Sequence, residues 1–108
     1  MNEYTGLRCL WLESNGIRRL ENLENQAILR CLYIQNNLIE RIENLQSCKM
    51  LAVLNLESNR IKKLANLSCL ESLETLHIGK NMLSDYDSLA HLIELKKLSG
   101  MYIKIKSY

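Results

Sequence analysis

What this chain of 108 residues lacks narrows its function before any motif is sought. No apolar run approaches the roughly 20 residues of a membrane span. The opening "MNEYTG" carries neither a basic n-region nor an apolar h-region, so no secretory signal is read there. Cysteines at 9, 31, 48 and 69 have no CxxC and no His-paired spacing, which counts against zinc. Reduced thiols in a cytosolic protein are the expectation. No Gly-rich phosphate loop, nucleophile elbow or metal spacing occurs, and the two histidines, His77 and His91, stand 14 residues apart. An enzyme finds little to stand on here. No catalytic residue, metal ligand or cofactor is expected.

Charge excludes a further class. The net charge of +2 is too small to argue for nucleic acid or an acidic membrane. The basic excess is local, because Lys96, Lys97, Lys104 and Lys106 meet no acid after Leu95. With 47% apolar and 24% charged residues, one small domain with a real core is the prior.

What the chain does have is a period. "LRCLWLESNGIRRLENL" begins at Leu7 and "LRCLYIQNNLIERIENL" begins at Leu29. Leu7, Leu29, Leu51, Leu73 and Leu95 are 22 residues apart throughout, followed three residues later by Leu10, Leu32, Leu54, Leu76 and Leu98. Leu12, Ile34, Leu56 and Ile78 form the next column, then Asn15, Asn37, Asn59 and Asn81, then Ile17, Ile39, Ile61 and Leu83. The LxL alternation has period two, so it reads as a short strand with Leu10 and Leu12 inward and Cys9, Trp11 and Glu13 outward. Each asparagine comes where the strand ends. A buried carboxamide there satisfies backbone groups that the turn leaves unpaired.

A second polar column, Asn22, Asn44, Asn66 and Ser88, precedes the Leu23, Leu45, Leu67 and Leu89 series. Asn and Ser are preferred N-caps, so each is expected to open a short helical or 3-10 segment on the outer side. No single turn buries its apolar edge alone, which makes the stack the cooperative unit. The expected organisation is one domain over 1–108. It comprises a partial repeat at 1–6, full repeats at 7–28, 29–50, 51–72 and 73–94, and a degenerate repeat or cap at 95–108.

At the front of the chain no amphipathic cap precedes Leu7, so the first strand is expected to be an open edge. Either the chain is a piece of a longer protein, or it covers that edge by self-association as a homodimer. At the other end "MYIKIKSY" alternates apolar and polar residues and reads as a closing strand.

Function must use the outward columns, where side chains are free. The central one is Trp11, Tyr33, Asn55 and His77; Glu13, Gln35, Glu57 and Gly79 lie on one side, and Cys9, Cys31, Val53 and Thr75 on the other. Strands in a parallel sheet sit about 4.8 Å apart, so Trp11 and Tyr33 are expected to be neighbours. Such a pair on an open face makes a binding hot spot, or else shields an exposed sheet end. The candidate partner-binding residues are therefore Trp11, Tyr33, Asn55, His77, Glu13, Gln35 and Glu57. Cys9 and Cys31 are also neighbours, as two free thiols or a bridge, and Cys48 falls in an apolar column. Arg18, Arg19, Arg41, Lys62 and Lys63 form a basic stripe that Glu21, Glu40, Glu43 and Asp87 partly neutralise. It reads as a solvated mixed-charge surface or as a seat for an acidic partner.

The columns together give LxxLxLxxNxI, and over residues 7–94 the sequence resembles the leucine-rich-repeat family. The resemblance implies an α/β fold: a right-handed solenoid with parallel strands on the concave face and short helical or 3-10 segments on the convex face. The 22-residue length and the "IExL" or "IENL" endings resemble the subfamily typified by the regulatory subunit of the type-one protein phosphatase. Within it, residues 3–94 look most like the repeats of the axonemal dynein assembly factor family. That likeness implies a cytoplasmic, non-enzymatic protein serving motile cilia or flagella, with dynein subunits or assembly chaperones as partners. The wider subfamily implies a phosphatase partner instead. A third comparison, with the spliceosomal leucine-rich-repeat protein, is disfavoured by the lack of a basic concave face.

Overall fold

Three-residue strands recur wherever the LxL phrase occurs. A computed structural model of the chain describes residues 8–83, His91 and the backbone of 102–104. The strands are β1 (Cys9–Trp11), β2 (Cys31–Tyr33), β3 (Val53–Asn55), β4 (Thr75–His77) and β5 (Tyr102–Lys104). They form one sheet in sequence order, every pair parallel. Parallel neighbours with no hairpin between them require a crossover after every strand, which is what a solenoid coil supplies.

The register follows the sequence columns. Leu10 pairs with Leu32, Leu32 with Leu54, and Leu54 with Leu76. Leu32, Leu54 and Leu76 are fully buried, and so are the outer-column residues Leu29, Leu51, Ile39, Ile61, Leu45, Leu67 and Cys48. The core is thus a set of parallel ladders of like residues, each leucine packed on its counterpart one coil away. Gln26 is buried as well, in the column where later coils place Cys48 and Leu70. Residues at the front are wetter: Leu10, Leu12 and Ile17 are only partly buried against the core.

Asparagine ends each strand as its column implied. Asn37 Nδ2 donates to the carbonyls of Leu12, Ile34 and Gln35 at 2.9, 3.0 and 3.1 Å, while its Oδ1 accepts from the N–H groups of Asn15 and Ile17. Asn59 repeats this one coil on, donating to Ile34, Leu56 and Glu57 and accepting from Ile39 N–H. Asn81 donates to Leu56, Ile78 and Gly79 and accepts from Ile61 N–H. Each carboxamide therefore ties its own turn to the preceding one.

The convex side is sparer than the N-cap argument implied. Leu45 O accepts from Cys48 N–H and Cys48 O from Leu51 N–H; Leu67, Leu70 and Leu73 do the same, as do Leu23, Gln26 and Leu29. Two linked four-residue turns thus return the chain, and residues 8–83 contain no helical segment. Asn22, Asn44 and Asn66 are not N-caps. They sit in the left-handed region at φ 63°, 62° and 61°, a conformation Asn tolerates better than most residues. Asn44 and Asn66 also donate from Nδ2 to the carbonyls of Leu20 and Ile42 in the previous coil. The equivalent expectation for Ser88 lies outside the described residues.

A second departure concerns the last strand. From β1 to β4 the paired positions step by 22 (9 to 31 to 53 to 75), but from β4 to β5 they step by 27 (75 to 102). The closing strand falls within "MYIKIKSY" as its alternation implied, and the leucine phase of Leu95 and Leu98 does not set its register.

Candidate functional site

The outward face of the sheet is assembled by the same ladder that builds the core. Because the register advances by whole coils, outward residues stack as faithfully as inward ones. Trp11 pairs with Tyr33, Tyr33 with Asn55, Asn55 with His77, and His77 with Lys104. The structure therefore brings the four central candidates into one row, and the longer last coil adds a fifth register position that the 22-residue period did not indicate.

At the front of this row the indole of Trp11 and the ring of Tyr33 are stacked, with centroids 5.3 Å apart and planes 9° from parallel. Trp11 is nonetheless 60% exposed, the most exposed large apolar side chain among the described residues. A stacked pair gains about 0.5–1.5 kcal/mol beyond burial, so the two rings hold each other in place. The result is a rigid flat step that leaves one indole face unused. Asn55 and His77 continue the row half-buried. Asn55 Oδ1 is committed to its own turn, accepting from Glu57 N–H at 3.1 Å.

Glu13, Gln35 and Glu57 form the parallel row beside the rings. Backbone bonds hold it in register: Ser14 N–H donates to Gln35 O, Asn36 N–H to Glu57 O, and Ser58 N–H to Gly79 O. The donating residues Ser14, Asn36 and Ser58 have φ near 57–58°, and Lys80 has 54°. This left-handed kink before each asparagine turns the chain off the strand. Small or amide residues stand at three of these four positions, a faint trace of the kink in the chain's composition. Among the described residues neither Glu13 nor Glu57 has an ion-pair partner, and Gln35 Oε1 accepts no hydrogen bond.

On the other side of the rings, Cys9 and Cys31 are paired in register, and all four cysteines are free thiols. Burial, then the hydrogen bond and charge of Cys9, push the Cys31 thiol up from its ordinary value. Burial and the Cys31 neighbour likewise raise the Tyr33 phenol. Both groups are neutral at ordinary pH. Cys48 is buried, and that burial raises its thiol too, with Cys69 adding to the shift. Raised thiols are poor nucleophiles at ordinary pH, so neither Cys31 nor Cys48 is prepared for covalent chemistry.

The basic stripe is a mixed rim. Arg19 Nε donates to Glu43 Oε2 at 3.3 Å, and Arg18, Glu40 and Arg41 border the same shallow hollow. Asp87 lies outside the described residues. No group of three or more His, Cys, Asp or Glu able to hold a metal occurs among the described residues, and no described helix is long and apolar enough to cross a membrane.

Comparison with known proteins agrees with this architecture. A family description of leucine-rich repeats in two copies matches residues 49–91. Curated proteins give no match. Among solved structures, internalin C2 from Listeria monocytogenes is 25% identical at a TM-score of 0.78, over 98% of this chain and 46% of that one. Internalin InlF from the same organism is 26% identical at 0.81, over 98% of this chain and 32% of that one. The functional domain of InlJ, described as including a cysteine ladder, is 18% identical at 0.57 and is alike in fold alone. The chain spans less than half the length of the internalins it matches. Proteins with such repeats are generally non-enzymatic interaction modules, and the strand ladder, its asparagine turns and these likenesses define the chain as a leucine-rich-repeat solenoid.

Proposed function

We propose that this chain is a non-enzymatic adaptor that holds a protein partner on its concave strand face, in the assembly of axonemal dynein for motile cilia or flagella. The observation that carries the binding role is the Trp11–Tyr33 step, rigid through stacking and yet exposed. Rings of this kind dominate protein interfaces because they bury large area at little entropic cost. The remaining candidates, Asn55, His77, Glu13, Gln35 and Glu57, supply polar contacts around that anchor. The dynein assignment is supported by the resemblance of "LRCLWLE" and "LRCLY", which place their outward residues on this face. A cytoplasmic location, shared with the cilium or flagellum, follows from the same reading.

Capture from flagellated cells with the tagged protein tests it: dynein chains or assembly chaperones are the expected partners, and Trp11→Ala loses them. Retention of every partner by that variant overturns the concave-face reading. The second reading, a regulatory module for a protein phosphatase, is favoured by the "IENL" endings at 42–45 and 20–23 in the looser form "LENL". It predicts that the protein captures a phosphatase catalytic subunit and alters its rate. Capture of that subunit without any dynein component selects it.

A further inference from the structure

The concave reading leaves open what chemistry the partner presents, and the two rows of the strand face constrain it. The uncovered face of Trp11 is an electron-rich surface, which attracts a cation within about 6 Å of the ring centroid. Two residues on stands the carboxylate of Glu13, and two strands away in the same row that of Glu57, neither ion-paired among the described residues, with Gln35 between them. A flat ring with one unpaired carboxylate near it and a second further along the row suits one side chain above others. Arginine is planar, stacks on indole, and presents a fork of donors to a carboxylate, whereas lysine offers a compact, strongly hydrated point charge.

The spacing adds a second constraint. Glu13 and Glu57 lie two strands apart, about 9.6 Å in a sheet of this type. A polyproline II segment rises about 3.1 Å per residue with three residues per turn, so its side chains i and i+3 share a face about 9.3 Å apart. Such a segment lying across the strands meets Glu13 and Glu57 with two equivalent side chains. Arg8 and Arg30 are exposed at the opposite end of the strands, about five residues or 16 Å from the row, while exposed Lys80 follows Gly79 one strand beyond Glu57 and Lys104 pairs with His77 in register. Among the described residues none of these bases forms an ion pair with Glu13 or Glu57, so both carboxylates can accept a cation.

We infer that the concave face takes an extended, arginine-bearing peptide segment of the partner with arginines at i and i+3. The first stacks on Trp11 and pairs with Glu13, and the second pairs with Glu57. This inference rests on the concave-face reading above and specifies its ligand.

The probe is a capped synthetic peptide containing Arg-Pro-Pro-Arg, titrated at low salt while following the fluorescence of Trp11, the only tryptophan of the chain. Saturable binding is expected, weakened at least tenfold by Glu13→Gln with Glu57→Gln, and similarly by Trp11→Ala read by calorimetry. Replacing both arginines by citrulline abolishes it. A lysine version and one with the two arginines adjacent bind severalfold more weakly. Absence of saturable binding, equal affinity for the citrulline, lysine or adjacent-arginine peptides, or an unchanged affinity in the double glutamine variant overturns the inference. The glutamine changes lie on half-buried or exposed side chains and leave the core intact. If the captured partner depends on Trp11 but is indifferent to Glu13→Gln with Glu57→Gln, the concave reading stands and the arginine assignment falls. If it is indifferent to both, the two fall together.

Discussion

A single asparagine per coil does most of the work of joining one coil to the next. Asn59 is buried and makes four hydrogen bonds, three donated to Ile34, Leu56 and Glu57 and one accepted from Ile39 N–H. Asn15 occupies the same column but is exposed, and among the described residues its side chain makes only the 3.2 Å bond to Glu13 O. The chemistry is equal and the surroundings differ, so the two positions separate side-chain identity from burial. Asn59→Leu leaves several buried groups unmet, each at about 1–3 kcal/mol, whereas solvent replaces the partner lost by Asn15→Leu. Thermal melts are expected to show a large drop for the first variant and a shift within about 1 kcal/mol for the second. Equal shifts would contradict the ladder. This role was legible in the sequence because four asparagines recur in phase and no other function explains a buried amide at each strand end. The stacking of Trp11 on Tyr33 was legible for the same reason, once the register was known.

At the level of the element, strands and turns were not equally readable. A strand of three residues such as Leu54 and its neighbours announces itself through alternation and repetition. The returning segment does not, because Asn and Ser are favoured both as N-caps and in left-handed turns. The spacing alone could not decide between them; the coil leaves room for two linked turns, and Asn44 settles into φ 62° with its Nδ2 on Leu20 O. The last coil was hidden for another reason: its strand pairs 27 residues on (75 to 102), outside the 22-residue period. The kink before each asparagine offers a test that involves the backbone alone. Lys80 is exposed and has φ 54°, where a side chain costs about 1–2 kcal/mol and glycine costs nothing steric. Lys80→Gly is expected to match or exceed the parent in stability, and Lys80→Val to fall about 1–2 kcal/mol below it, since a β-branched residue is a genuine outlier there. Urea unfolding of the pair checks this, and a valine variant as stable as the glycine one would mean the kink relaxes in solution.

For the molecule as a whole, the question is whether the coils melt together or one by one. Each coil touches only its neighbours, so stability is a sum of coil terms and interface terms. The described coils are short, and none has a core of its own: Leu54 is fully buried only because Leu32 and Leu76 flank it in register. A coil that loses its neighbour therefore loses its interior, which couples the front of the stack to the middle. Trp11, the only tryptophan, reports the front, while the far-ultraviolet circular dichroism reports the sheet throughout. The two signals are expected to give one coincident transition in the parent protein. Leu54→Ala removes buried methylene groups at the centre and costs about 2–5 kcal/mol. It should lower both transitions together, although Trp11 lies two strands away and touches nothing that changed. Leu10→Ala, at a partly buried position on β1, should cost less and again move both. If Leu54→Ala shifts the dichroism but leaves the tryptophan transition in place, the front coil folds on its own. The platform formed by Trp11 and Tyr33 would then owe its rigidity to their stacking and not to the stack of coils behind it.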